Sequence, residues 1–104
     1  MTDIMQRDQA LELRSGGTTL TLDKSAGKAV MQRKILFVKM KPSEIGLSEI
    51  ADVTLDVGVD RASGVEVCNA MLVTREGAAW ALPASDKPDA EKSASAMRKF
   101  LGLN

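Results

Sequence analysis

The sequence contains no histidine, no tyrosine and a single cysteine, Cys68. Lacking histidine, the chain is without the side chain that most often moves protons near neutral pH. One cysteine forms no internal disulfide, and with no histidine beside it the usual zinc and haem ligand sets are missing. Aromatic residues number three, Phe37, Trp80 and Phe100, too few to build a stacking platform for single-stranded nucleic acid. Fourteen bases balance fourteen acids, so no global field draws in nucleic acid or an anionic membrane. The most apolar run, residues 35–38, falls far short of the roughly 20 residues that cross a bilayer. Residues 1–9 hold Asp3, Arg7 and Asp8 and no apolar core of a leader. A lone cysteine without a leader is expected in a reducing compartment, the cytoplasm. No cofactor and no metal are expected.

What is present is an ordinary globular composition. The 104 residues are the length of one domain, and 44% hydrophobic content suffices for a core without staples. The reading is a single domain, 1–104, with residues 1–9 as a flexible N-terminal arm. Leu11 and Leu13 alternate with Glu12, and Leu20 and Leu22 alternate with Thr19 and Thr21. The intervening Ser15-Gly16-Gly17 is a turn, so the two runs predict a hairpin. Lys28 to Met40 predicts a strand whose apolar parity changes near Leu36, through a bulge or through cover on both faces. Pro42 ends it, and Ser48-Glu49-Ile50 is a single turn.

Val53, Leu55 and Val57 then alternate with Thr54 and Asp56. Residues 58–64 are the longest polar break. Val65, Val67, Met71 and Val73 return to strand spacing, with Cys68 and Leu72 on the opposite parity. Arg75-Glu76-Gly77 is a tight turn with glycine where φ is positive. Ala78, Trp80 and Leu82 form the last inward set, which places Trp80 in the core. A helix from Asp89 to Leu101 closes the chain. Asp86 or Lys87 caps it, Pro88 stands near its first position, and Ala90, Ala94, Met97 and Leu101 form its apolar stripe. Gly102 ends it, with Leu103 folding back.

Three stretches carry a family likeness. They are Ile45-Gly46-Leu47-Ser48-Glu49-Ile50-Ala51-Asp52-Val53, the hairpin Ala70 to Pro83 around Gly77, and the closing Phe100-Leu101-Gly102-Leu103. Over roughly residues 10–103 the chain resembles bacterial pleckstrin-homology-like domains. The resemblance implies a mainly β, α+β fold: a bent antiparallel barrel of about seven strands capped by one C-terminal helix. It further implies a role in binding or assembly rather than catalysis. The basic cluster with which eukaryotic relatives hold phosphoinositides is not matched at Ser15-Gly16-Gly17.

No residue pattern suggests an enzyme. Cys68 has no base to activate it. Gly16-Gly17 is not followed by the Gly-Lys-Ser/Thr of a phosphate loop. Asp52 and Asp56 share a strand face but stand about 13 Å apart by strand rise, too far for a carboxylate pair. Charge, however, is unevenly distributed. Lys24, Lys28, Arg33, Lys34, Lys39 and Lys41 fall in a stretch without acids, and Glu44, Glu49, Asp52, Asp56 and Asp60 in a stretch without bases. If these stretches are neighbouring antiparallel strands, their charges cancel across the sheet.

The leading expectation is a non-catalytic protein-interaction or assembly module, self-associating or taking a protein partner through an open strand edge or the groove beside the helix. The alternative is an anion or membrane-surface domain that uses the six bases between residues 24 and 41.

Overall fold

The computed structural model describes residues 2–35, 38–39 and 41–103, without the side chains of Ile35 and Lys39. The protein is mainly β, with two antiparallel sheets and one C-terminal helix. The first sheet contains β1 (Asp3–Gln6), β2 (Ala10–Ser15), β3 (Thr18–Asp23) and β4 (Lys28–Ile35) in sequential order. The far edge of β4 is shared by β5 (Val38–Lys39) and β6 (Ser43–Gly46). A single 3-10 turn, Leu47–Glu49, leads into the second sheet. That sheet has the order β7 (Ile50–Val59), β8 (Glu66–Thr74), β9 (Ala79–Ala84). Helix α1 (Lys87–Leu101) follows.

The sheets do not close into the barrel that the sequence suggests. β7 pairs with β8 alone, and no strand among the described residues bridges it to the first sheet. The expected single run from Lys28 to Met40 is also divided. Ile35 faces Val38 and Lys34 faces Lys39 across a hairpin; Leu36, Phe37 and Met40 lie outside the described residues. Within the segment expected to be an arm, residues 3–6 form β1 and pair with β2.

Alternation dictates the first sheet. Leu11 faces Leu22 and Leu13 faces Leu20, and all four are fully buried. Each such side chain stabilises by about 1.5–3 kcal/mol relative to exposure. Gly16, with φ 57°, makes the turn between them. Its neighbour Gly17 has a different reason to be glycine: a Cβ there would lie 2.5 Å from the Lys34 carbonyl oxygen. In the second sheet, Val53 faces Leu72, and Ala70 faces Leu82. The inward parity of β8 is that of Cys68, Ala70, Leu72 and Thr74. In β9, Leu82 is buried and Trp80 packs partly buried against the core, whereas Ala78, just before it, is exposed.

The helix begins where Asp86 accepts a hydrogen bond from the Asp89 N–H at 2.8 Å, with proline in the first turn. It ends at Gly102, φ 73°, where the Leu103 N–H returns to the Arg98 carbonyl at 2.8 Å. Ala94, Met97 and Phe100 enter one core with leucines of β2 and β3 and with Val53, Ala70, Leu72 and Leu82 of the second sheet. A buried carboxylate adds a polar tie at the start of the helix: Asp89 accepts from the N–H of Thr2 at 3.0 Å and of Ser85 at 3.0 Å.

Candidate functional site

Of the six basic residues of the 24–41 stretch, the five whose side chains are described do not converge. Lys24 sits in the turn after β3, its Nζ 4.5 Å from the centre of the Phe100 ring. On β4, Lys28 and Lys34 take the parity opposite to buried Ala29 and Met31, and Arg33 takes the same parity as those two. Arg33 Nη2 rests 3.8 Å from the Met31 sulfur. Lys34 lines a shallow depression of about 470 Å³ on the outer face of the first sheet, beside Thr19, Thr21, Val30 and Gln32. Lys41 is exposed in the link before β6. The Lys39 side chain lies outside the described residues.

Among the described residues, cancellation of these bases by the acidic stretch is realised at one pair, Lys28 with Glu44 at 3.6 Å, where β4 meets β6. The other acids are engaged elsewhere or belong to the second sheet. Glu49 accepts the Gly46 N–H at 2.8 Å. Asp60 holds its own turn through the Ala62 N–H and the Ser63 hydroxyl. Asp52 pairs with Arg98 of α1. The N–H of Val53 and the guanidinium of Arg98 both hold the Asp52 carboxyl below its ordinary pKa.

What the fold does assemble is an open strand edge. β7 is ten residues long and forms one edge of its sheet. The Val53 carbonyl accepts from Arg98 Nη1 at 2.8 Å, and the Val53 N–H donates to Asp52 Oδ1 at 2.8 Å. These groups therefore point away from β8. The Asp60 N–H, of opposite parity, points toward β8 and donates to the Val65 carbonyl at 2.9 Å. Alternate residues of an antiparallel strand present their N–H and C=O on the same side. Leu55, Val57 and Val59 thus aim their backbone groups outward like Val53. Among the described residues nothing bonds to them there.

The same three side chains are exposed, Leu55 at 40%, Val57 at 42% and Val59 at 65%. Their exposure has a topological cause: β7 is the edge strand of its sheet, and α1 lies against its base. β9 accompanies β8 as far as Cys68, which faces Val57, so the tip of the β7–β8 hairpin, with Val59, extends past it. Val65 and Val67 are exposed on this ribbon as well. A two-stranded ribbon has little stability of its own in water. At its base, a groove of about 530 Å³ separates β7 from α1, lined by Val53, Thr54, Leu55, Ala94, Arg98 and Leu103 among others.

The remaining edges are better guarded. β9 carries Pro83, which has no N–H to offer, and β1, β5 and β6 are at most four residues long. Sequence reasoning foresaw an open edge or a groove by the helix but did not locate it on β7. The signal was there: Val53, Leu55, Val57 and Val59 make one apolar face more than the helix and β8 can cover. The ribbon also holds three acids, Asp56, Asp60 and Glu66, against one base, Arg61, a balance unsuited to anionic surfaces.

Cys68 is buried beside this hairpin. Burial, and then the hydrogen bond to Glu66 at 3.4 Å, push its thiol pKa up. That is the reverse of what a nucleophile needs. No helix among the described residues is long and apolar enough to cross a membrane. Compared with known proteins, the chain has no significant match among family models, curated protein sequences or solved structures.

Proposed function

We propose that this protein is a non-catalytic interaction or assembly module of pleckstrin-homology-like type, which binds a protein strand along the β7 edge. The observation that carries the reading is the row of outward backbone groups at Leu55, Val57 and Val59, flanked by exposed apolar side chains and a groove against α1. Strand addition uses both at once: main-chain hydrogen bonds supply affinity, and alternate side chains supply selectivity. The pleckstrin-homology-like part of the reading rests on the sequence likeness; two antiparallel sheets followed by a C-terminal helix match it in element order, while the sheets stay open where that likeness implies a barrel. The scattered placement of the basic residues argues against the anion or membrane-surface alternative.

Vesicle sedimentation separates the two. The full chain is spun with phosphatidylserine–phosphatidylcholine vesicles in low and in high salt. An interaction module of this kind stays in the supernatant in both. Binding in low salt that is lost in high salt, and abolished by Lys24→Ala with Lys34→Ala, overturns the reading in favour of a basic-face binder.

A further inference from the structure

We propose that the strand added to β7 is β7 of a second copy, paired antiparallel about a two-fold axis at Val57. This rests on the strand-addition reading and names its partner. An antiparallel pair of identical strands is self-complementary, so a two-fold dimer follows from one surface.

The register follows from hydrogen-bond direction and charge. Outward-facing residues must lie opposite outward-facing residues, which restricts the pairing to matches among Leu55, Val57 and Val59. Centring on Val57 uses all three: Leu55 lies opposite the partner's Val59, and Val57 opposite its own copy. Asp56 then faces the partner's Gly58, and Thr54 faces the partner's Asp60, so no two acids are opposed. Sliding one residue toward the start of the strand sets Asp56 against its own copy. Sliding one residue the other way sets Asp56 against the partner's Asp60. Like charges directly opposite are destabilising.

A slide of two residues toward the start requires the Val53 backbone, which Arg98 and Asp52 already occupy. A slide of two the other way leaves Leu55 outside the pair. The Val57-centred register is therefore the one the sequence of β7 permits. It forms roughly six hydrogen bonds, two for each outward-facing pair. It also covers Leu55, Val57 and Val59 with their own counterparts on one face and joins two three-stranded sheets into one of six. The chain as a whole carries no net charge, but each ribbon holds three acids against one base, so the pairing is expected to tighten as added salt screens that excess.

The test combines mass with cross-linking. Sedimentation equilibrium of the full chain at micromolar concentration is expected to give a dimer, and Leu55→Lys a monomer that still melts cooperatively but lacks the wild type's dependence of the midpoint on protein concentration. For the register, single cysteines are placed in a Cys68→Ala background, because Cys68 faces Val57 within the chain. Directly opposed, hydrogen-bonded residues have Cα atoms about 5.5 Å apart, within disulfide range. On oxidation Val57→Cys is expected to cross-link into dimers at least tenfold faster than Asp56→Cys, which lies diagonal to its copy. Equal rates, or faster linking at position 56, overturn the pairing proposed here. A wild-type monomer overturns self-pairing altogether. In that case amide hydrogen exchange decides the underlying reading: fast exchange at Leu55, Val57 and Val59 leaves the edge open to another protein, whereas protection removes strand addition as well.

Discussion

Replacing Asp89 asks whether one buried carboxylate ties the start of the chain to its last helix. Asp89 is 4% exposed. Its oxygens accept from the Thr2 N–H at 3.0 and 3.2 Å and from the Thr2 hydroxyl at 2.9 Å. They also accept from the Ser85 N–H at 3.0 Å and the Ser85 hydroxyl at 3.3 Å. Burial alone would raise this carboxyl's pKa; the N–H groups of Ser85 and Thr2, with the Thr2 hydroxyl, outweigh burial and hold it below the ordinary value. Asp89→Ala leaves two backbone N–H groups without a partner, each at a cost of about 1–3 kcal/mol. The expected loss is about 2–5 kcal/mol, a large share of the roughly 5–15 kcal/mol that holds a domain folded.

At about 4–8 °C per kcal/mol for a domain near this size, the melting midpoint falls by roughly 8–40 °C in a circular-dichroism melt. Asp89→Asn keeps one acceptor and falls between. The sign with pH follows from the lowered pKa. The carboxylate's contribution is fully present above its unfolded value near about pH 4 and is lost as pH falls through the lower folded value. Wild type therefore loses stability on acidification below about pH 4, and Asp89→Asn loses less over the same range. A midpoint drop under about 2 °C for Asp89→Ala, or identical acid slopes for wild type and Asp89→Asn, would refute the tie.

Ser93 is fully buried, and its hydroxyl has no hydrogen-bond partner among the described residues; Ser93→Ala is expected to raise stability by about 0.5–1 kcal/mol in guanidinium titration, and a loss would show a missed partner. Met97, with no exposed surface at the centre of the helix face, is expected to cost about 2–5 kcal/mol as Met97→Ala, read from the same titration. Gly17→Ala forces a Cβ against the Lys34 carbonyl and is expected to cost about 1–3 kcal/mol, although its φ needs no glycine; a neutral result in a thermal melt would mean that the β2–β3 turn yields easily. Cys68 is expected to react with a thiol reagent only as the fold opens, and labelling at the rate of a free thiol would contradict its burial and raised pKa.

Much of the local structure was legible because its causes lie within a few residues. The Ser15–Gly17 turn, the Gly77 turn at φ 89°, the Asp86 cap and the Gly102 stop each rest on one residue's backbone preference. The paired leucines of β2 and β3 were likewise readable from alternation. Features set by distant partners were less legible. β1 is a short segment of mixed polarity, whose place is held by β2, by Ile4 against the core and by a link from Thr2 to Asp89 across 87 positions. The inward parity of β8 was open in the sequence, because valines on one phase compete with Cys68 and Leu72 on the other. Packing against Leu82 and the helix selects the second phase.

By itself, the sequence determined that the chain is mainly β, where most of its turns fall, though not the one between β4 and β5, and where its helix starts and stops. These follow from hydrophobic period and from glycine, proline and capping residues acting locally. Tertiary structure decided which faces meet solvent. Of six bases close in sequence, the five with described side chains are dispersed over two faces of β4 and its flanking turn and link, because successive strand residues point in opposite directions. The acids from Asp52 to Asp60 are carried into the other sheet, away from the bases they seemed placed to cancel. The β7 edge is open because β7 is the terminal strand of its sheet, with β8 as its one neighbour among the described residues and α1 packed only at its base, an arrangement that exists only once the strands are paired.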